Sequence, residues 1–154
     1  MCGFEIRTAT LEDVDELLRQ RHRMFEELRR SDSRAIKVHD EAFPRWVRRE
    51  MKAKRIVCFL VEAEKGEVVG GGSIWLREVQ PYPGFPGGKV PYLMSMYTKP
   101  AYRRKGVGSL VVEQAISWSR HHGYSSITLH GSRFGRPLYL KLGWKRSWEM
   151  ELDL

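Results

Sequence analysis

Two periodicities alternate along the chain. Phe4 to Thr8 alternates apolar and polar side chains, the period of a half-buried strand. Leu11, Val14, Leu17, Leu18, Phe25 and Leu28 then recur at helical steps and predict an amphipathic helix from about Leu11 to Arg29. Thr10-Leu11-Glu12-Asp13 has the form of a capping box, with Thr10 as N-cap and a carboxylate three residues on. Ser31 to Lys37 is polar and predicts a loop. His39 to Lys54 predicts a second helix, with Pro44 as a point of interruption. Arg55 to Glu62 is β-branched and apolar, Glu64-Lys65-Gly66-Glu67 supplies a hairpin turn, and Val68 to Glu78 returns as the partner strand. Gly70-Gly71-Gly72 inside that strand predicts a close backbone approach or a bulge.

The second half repeats the alternation. Pro81 to Gly88 is a loop on composition alone, and Val90 to Thr98 is strand-like. Lys99-Pro100 breaks that strand. Gly106-Val107-Gly108 opens a helix whose stripe is Val107, Leu110, Val111, Ala115 and Trp118, and Gly123 ends it. Ser126 to His130 predicts a short strand. Pro137 suits the first turn of a short helix to Leu142, capped by Gly143. Lys145 to Leu152 alternates again and predicts a closing strand. The order β-α-α-β-β-β-α-β-α-β describes a single α/β domain over 1–154, built on a mixed, mostly antiparallel sheet.

Composition narrows the classes. The 154 residues suit one core, and 42% hydrophobic and 11% aromatic content excludes a disordered chain. No run approaches the ~20 apolar residues of a membrane helix, and Met1 to Arg7 lacks the apolar core of a secretory signal. Cys2 and Cys58 provide neither a metal quartet nor a disulfide framework. The expected setting is cytoplasmic and reduced, with no metal and no membrane partner. The net charge of +8 permits anionic partners. Most basic residues lie along the first two helices, interleaved with glutamates, as on a solvated face. Arg103-Arg104-Lys105 differs, because glycines follow it at once.

There a strand ends, the chain turns and a helix begins. The first N–H groups of a helix have no internal acceptor and stand at the positive end of its dipole. Glycine admits close approach of a ligand to the backbone. Arg103 to Ser109 is therefore a ready site for a phosphate or pyrophosphate. No Gly-Lys-Ser/Thr follows, which excludes a Walker loop. Ser109-Leu110-Val111 lacks the third glycine of a dinucleotide fingerprint.

Arg103-Arg104-Lys105-Gly106-Val107-Gly108 resembles the Q/R-x-x-G-x-G/A signature of the GNAT superfamily of N-acetyltransferases. Tyr97-Thr98-Lys99-Pro100-Ala101-Tyr102 is similar to that family's lead-in, and Leu138-Tyr139-Leu140-Lys141-Leu142-Gly143-Trp144 to its later fY-x-x-x-G-F segment. The resemblance spans essentially the whole chain. It implies a sheet of six to seven strands flanked by about four helices, and acetyl-CoA as co-substrate. By resemblance, Arg103, Arg104, Lys105, Gly106, Val107, Gly108 and Ser109 hold the pyrophosphate. Met96, Tyr97 and Thr98 run beside the pantetheine, a backbone N–H near Met96 polarises the thioester carbonyl, and Ser132 touches the cofactor or serves a steric purpose. Tyr139 is the expected acid for the departing thiolate; the alternatives are that it packs against the cofactor or only donates a hydrogen bond. His130 is the nearest titratable candidate for the base, though a strand-end histidine is also a common structural group. Glu26 and Glu27 bind a cationic amine or pair with neighbouring arginines.

The reaction implied is acetyl transfer to a primary amine by direct attack in a ternary complex, since no cysteine stands in the catalytic frame. The basic balance disfavours polycationic acceptors and favours a small neutral or acidic amine. A CoA-binding protein without catalysis and a basic nucleic-acid-binding module are the alternatives. The aromatics at core-like positions count against nucleic acid. An edge strand near the C-terminus is able to pair with a second copy, giving a homodimer.

Overall fold

A computed structural model describes residues 3–28 and 32–154. The strands are β1 (Glu5–Thr8), β2 (Ile56–Glu62), β3 (Val68–Glu78), β4 (Lys89–Thr98) and β5 (Thr128–Leu129). The helices are α1 (Val14–Leu28), α2 (Ser33–Lys52), α3 (Val107–His121) and α4 (Arg136–Lys141). The strands form one sheet in the order β1-β2-β3-β4-β5, antiparallel except for the parallel pair β4–β5.

Strand β2 shows why the layers form. It is apolar at nearly every position and buried on both faces. Ile56, Cys58 and Leu60 face one side, where Val14 and Leu17 of α1 and Phe43 and Val47 of α2 cover them. Phe59 faces the other side, with Ile74, Leu93, Val112 and Ala115. Val61 joins Val69, Val107 and Val111 there. Helices α1 and α2 thus cover one face of the sheet, and α3 and α4 the other. Each fully buried aliphatic side chain contributes about 1.5–3 kcal/mol. Cys58 is buried and free, and burial pushes its thiol up to about 11; Cys2 lies outside the described residues.

Thr10 caps a short 3-10 turn, Leu11–Asp13, through the capping box with Asp13, and α1 follows. The expected helix end at Arg29 lies outside the described residues. The expected loop Ser31 to Lys37 is corrected from Ser33 onward: α2 begins there, and the Asp32 carboxylate accepts the Ala35 N–H as its cap. Polarity there marks an exposed helical turn. Helix α2 continues through Pro44, which has no N–H to give the Asp40 carbonyl. The six to seven strands expected are five. The predicted strand Lys145 to Leu152 is not one: 145–154 is exposed and pairs with no strand among the described residues. Its alternation is that of a strand, but a strand needs a ladder partner, and the described residues supply none.

The glycine triplet acts as expected. A Cβ at Gly70 would stand 2.6 Å from the Tyr97 carbonyl oxygen and 2.8 Å from Val107. One at Gly72 would stand 2.6 Å from the Met96 sulfur and 2.8 Å from Val111. Bare backbone here lets β4 and α3 close on β3.

Candidate active site

The register of β3 and β4 slips opposite Gly72, where β4 carries an extra residue: Gly71 faces Tyr97 and Ser73 faces Met94. Ser95 in this bulge adopts the left-handed region at φ 57°. On its other side β4 pairs with β5 only at Tyr92–Thr128 and Leu93–Leu129. Met94 to Thr98 therefore has no strand beside it there among the described residues, and the sheet splays open. Met96 and Thr98 are half-buried along this opening, and Tyr97 is buried.

Below the splay, the chain turns through Pro100–Tyr102 into α3. Arg104 at φ 61° and Gly106 at φ 94° take left-handed conformations. Alternation of this kind turns successive N–H groups toward one concavity. Among the described residues, the N–H groups of Arg104, Lys105, Gly106, Val107, Gly108 and Ser109 have no acceptor. The Val107 side chain is buried in the core, which anchors the turn. A Cβ at Gly108 would stand 3.0 Å from Leu138 of α4, so this glycine answers to a close approach.

Side chains around the turn brace it. Arg103 pairs with Glu27 of α1 and donates to the Thr98 carbonyl at 2.9 Å. Lys99 and Tyr102 both donate to Glu67, at 3.0 and 2.7 Å. Arg104 and Lys105 are exposed, and the Lys105 ammonium lies 5.4 Å from the Tyr102 ring centre.

Tyr139 sits on α4, which Pro137 starts, and its ring packs 5.8 Å from that of Trp144. It is buried, its hydroxyl makes no hydrogen bond among the described residues, and burial pushes the phenol up to about 12. Ser132 accepts the Gly135 N–H at 3.1 Å and so shapes the entry to α4. His130 is exposed after β5, with no hydrogen bond or ion pair to another described residue. Glu26 lies 3.3 Å from His22. The two glutamates singled out in the sequence thus meet basic groups: Glu27 joins the signature turn through Arg103, and Glu26 meets His22 one turn back on α1.

A chain of polar groups missed in the sequence lies on the α1–α2 side of the bulge. Arg21 donates to Ser95 Oγ at 2.5 Å and to His39 Nε2 at 3.1 Å. His39 Nδ1 meets Asp40 at 2.9 Å, and His22 Nδ1 meets the other Asp40 oxygen at 2.7 Å. The arginine contacts fix His39 Nε2 as acceptor, hence Nδ1 as the protonated nitrogen. Phe25 and Phe43 flank the guanidinium at 5.1 and 4.9 Å. Among the described residues, no carboxylate is within ion-pair distance of Arg21, and burial lowers its pKa. Burial likewise lowers His39, while the Asp40 hydrogen bond raises His22. These residues are 18 and 74 positions apart, and no local spacing announces them.

Among the described residues, no cluster of His, Cys, Asp and Glu is placed to hold a metal. No helix described is long and apolar enough to cross a membrane.

Comparison with known proteins gives this geometry its family. A GCN5-related N-acetyltransferase from Ralstonia eutropha JMP134 superposes with a TM-score of 0.89 at 25% identity, over 99% of both chains. A predicted acetyltransferase from Clostridium acetobutylicum, solved with acetyl-CoA, gives 0.88 at 22% identity, over 98% of this chain and 96% of the other. A ribosomal-protein-alanine N-acetyltransferase from Brucella melitensis biovar Abortus 2308 gives 0.72 at 17% identity, over 99% of both. No curated protein sequence matches the chain. The sequence model of the acetyltransferase (GNAT) family matches residues 11–144, which takes in the bulged strand, the turn into α3 and Tyr139, and the chain is a member of that acetyltransferase family.

Proposed function

We propose that this acetyltransferase moves the acetyl group of acetyl-CoA to the primary amine of a small neutral or acidic acceptor, by direct attack in a ternary complex. The observation that carries the reading is the turn from Arg104 to Ser109, whose N–H groups find no acceptor among the described residues. Unpaired donors at a helix N-terminus suit a pyrophosphate. The residues fit the co-substrate: the splay beside Met94 to Thr98 offers pantetheine amides an unpaired strand edge, and the turn stands at its end. Acetyl-CoA supplies the activated thioester; the protein supplies position and charge.

Each residue then has a defined task. Amides from Arg104 to Ser109 bind phosphate oxygens, with Arg104 and Lys105 adding attraction. Arg103 holds the turn to α1 and β4 through Glu27 and Thr98. The bulge at Ser95 and Met96 turns backbone out of the β3 ladder, which supports a donor there for the oxygen that gains charge. Tyr139 keeps its proton at neutral pH and donates to the departing sulfur. Burial that raises the phenol also disfavours a free thiolate in the same pocket, so the Tyr139 hydroxyl serves the sulfur as hydrogen-bond donor and acid. Arg21, a part-buried cation next to the bulge, favours acceptors with a carboxylate or other anion and disfavours polycations.

A thiol-release assay with acetyl-CoA and a panel of neutral, acidic and polycationic amines tests this. Turnover is expected with neutral or acidic amines. Polycations as the best acceptors would overturn the acceptor class. Binding of acetyl-CoA without thiol release for any amine would favour a protein that binds CoA without catalysis.

A further inference from the structure

Strand register sets a row of polar and aromatic side chains on the α1–α2 face of the sheet. Trp75 of β3 packs on the α1–α2 cluster, and Arg77, two residues on, shares its face. Residues directly opposite one another in a ladder also share a face. Tyr92 and Met94 of β4, opposite Trp75 and Ser73, therefore stand there too. Thr128 of β5, beside Tyr92, completes the row. Leu93 and Leu129 point the other way, into the α3–α4 cluster. Arg77, Tyr92 and Met94 are half-buried, so the helices leave this part of the face open.

Two cations stand at the ends of this row. Arg21 is at the bulge, on Ser95. Arg77 is at the other end, its guanidinium 4.7 Å from the centre of the Tyr92 ring. Arg77 makes no hydrogen bond or ion pair with any described residue. Its Nε is buried without an acceptor, and the Thr128 hydroxyl next to Tyr92 is buried without a partner. Buried polar groups left unpaired cost stability. Tyr92 to Ser95 is three strand steps, roughly 10 Å, and two long arginine side chains converge across that span. The splay between β4 and β5 opens just past the Leu93–Leu129 pair. An amine that reaches the bulge from this face therefore lies between the two cations.

We propose that the acceptor carries two anionic groups, one held by Arg21 at the bulge and the second by Arg77 on Tyr92, with its amine over Met94 at the mouth of the splay. This deepens the acceptor class given above and rests on that reading. Arg77 is then the specificity-determining residue. The second group is a carboxylate or a phosphate, since the planar guanidinium fork binds either through parallel N–H bonds. Contact with the Tyr92 ring holds the fork in place and leaves its edge to the ligand. A monoanionic amine leaves one cation unmatched, and a polycation meets two like charges. The row thus selects by the number of charges as well as by their sign.

The test compares L-glutamate with L-glutamine, and O-phospho-L-serine with L-serine; the second of each pair lacks the second anion. In the thiol-release assay kcat/KM is expected to be about 10- to 100-fold higher for the dianion of at least one pair. A preference for glutamate assigns a second carboxylate, and one for phosphoserine a phosphate. Arg77→Met is expected to remove the preference and leave glutamine and serine unchanged, and Arg77→Lys to recover part of it. Equal rates within both pairs, or a preference that survives Arg77→Met, would overturn the proposal. Melting temperature with each amine, with and without CoA, gives a second readout. The dianion is expected to raise it, and Arg77→Met to abolish the rise. That rise without thiol release would fail the catalytic reading and keep the site. Thiol release with no dianion preference in either readout would keep the catalytic reading and overturn the site. No response to either dianion in both readouts would also overturn it.

Discussion

The α1–α2 side of the sheet holds a buried charge, Glu50, and a part-buried one, Arg21, and they are treated in opposite ways. Glu50 of α2 is enclosed by donors: Arg55 binds both its oxygens at 2.8 Å, Arg49 adds a contact at 3.2 Å and the Trp75 indole N–H donates at 3.3 Å. Arg55 foremost holds the Glu50 carboxyl down at about 2. Arg21 of α1 is a cation whose partners are a neutral imidazole and a hydroxyl. Asp40 lies one residue removed from it, through His39. A buried charge without a direct counter-ion costs stability. The first cluster ties helix to sheet; the second spends stability beside a strand bulge, where a ligand's negative charge would complete it. The turn from Arg104 to Ser109 repeats the lesson in backbone form, with donors left open in a fold that pairs such groups elsewhere.

Four changes test the contrast, beginning with the largest effect. Gly108→Glu adds a negative charge to the turn and a Cβ 3.0 Å from Leu138, so acetyl-CoA affinity should fall at least ~100-fold by calorimetry. Tyr139→Phe should leave that affinity within a few fold and lower kcat by about 100-fold in a steady-state thiol assay. An equal loss of binding would reduce the tyrosine to a packing role.

Glu50→Gln breaks the closed cluster. It should lower stability by about 3 kcal/mol, or roughly 10 °C in melting temperature, with kcat of the folded enzyme preserved. The pH sign follows from the lowered value. Stability contributed by Glu50 is fully present above its ordinary value of 4.5 and is lost as pH falls through about 2. Denaturant titrations from pH 5 to 2 should therefore be flatter in Glu50→Gln. Arg21→Met should do the reverse: melting temperature unchanged or raised, and KM for anionic acceptors up ~10-fold with neutral acceptors little affected. A large fall in stability would make Arg21 a structural tie like Arg55.

Legibility in the sequence followed the range of the interactions. The turn at Arg103 to Ser109 was readable because glycines and basic residues stand together where a strand gives way to a helix. Gly70 to Gly72 was readable because three glycines inside a strand have few other purposes. The first turn of α2 was hidden, since an exposed polar helical turn looks like a loop until the Asp32 cap is seen. The bulge at Ser95 and the Arg21–His39–Asp40 chain were invisible because they join distant residues. The segment Lys145 to Leu152 carries a strand's pattern but is not an element of the described sheet. Alternation specifies a strand's faces, while the ladder requires a neighbour.

Calorimetric titration of acetyl-CoA into the purified protein, beside NAD, tests the central claim most directly. NAD shares the pyrophosphate but has no pantetheine to lie in the splay. Saturable binding of acetyl-CoA with a stoichiometry near one per chain, and none by NAD at equal concentration, is the predicted result. No heat from acetyl-CoA at millimolar concentration, or equal binding of both, would contradict the account.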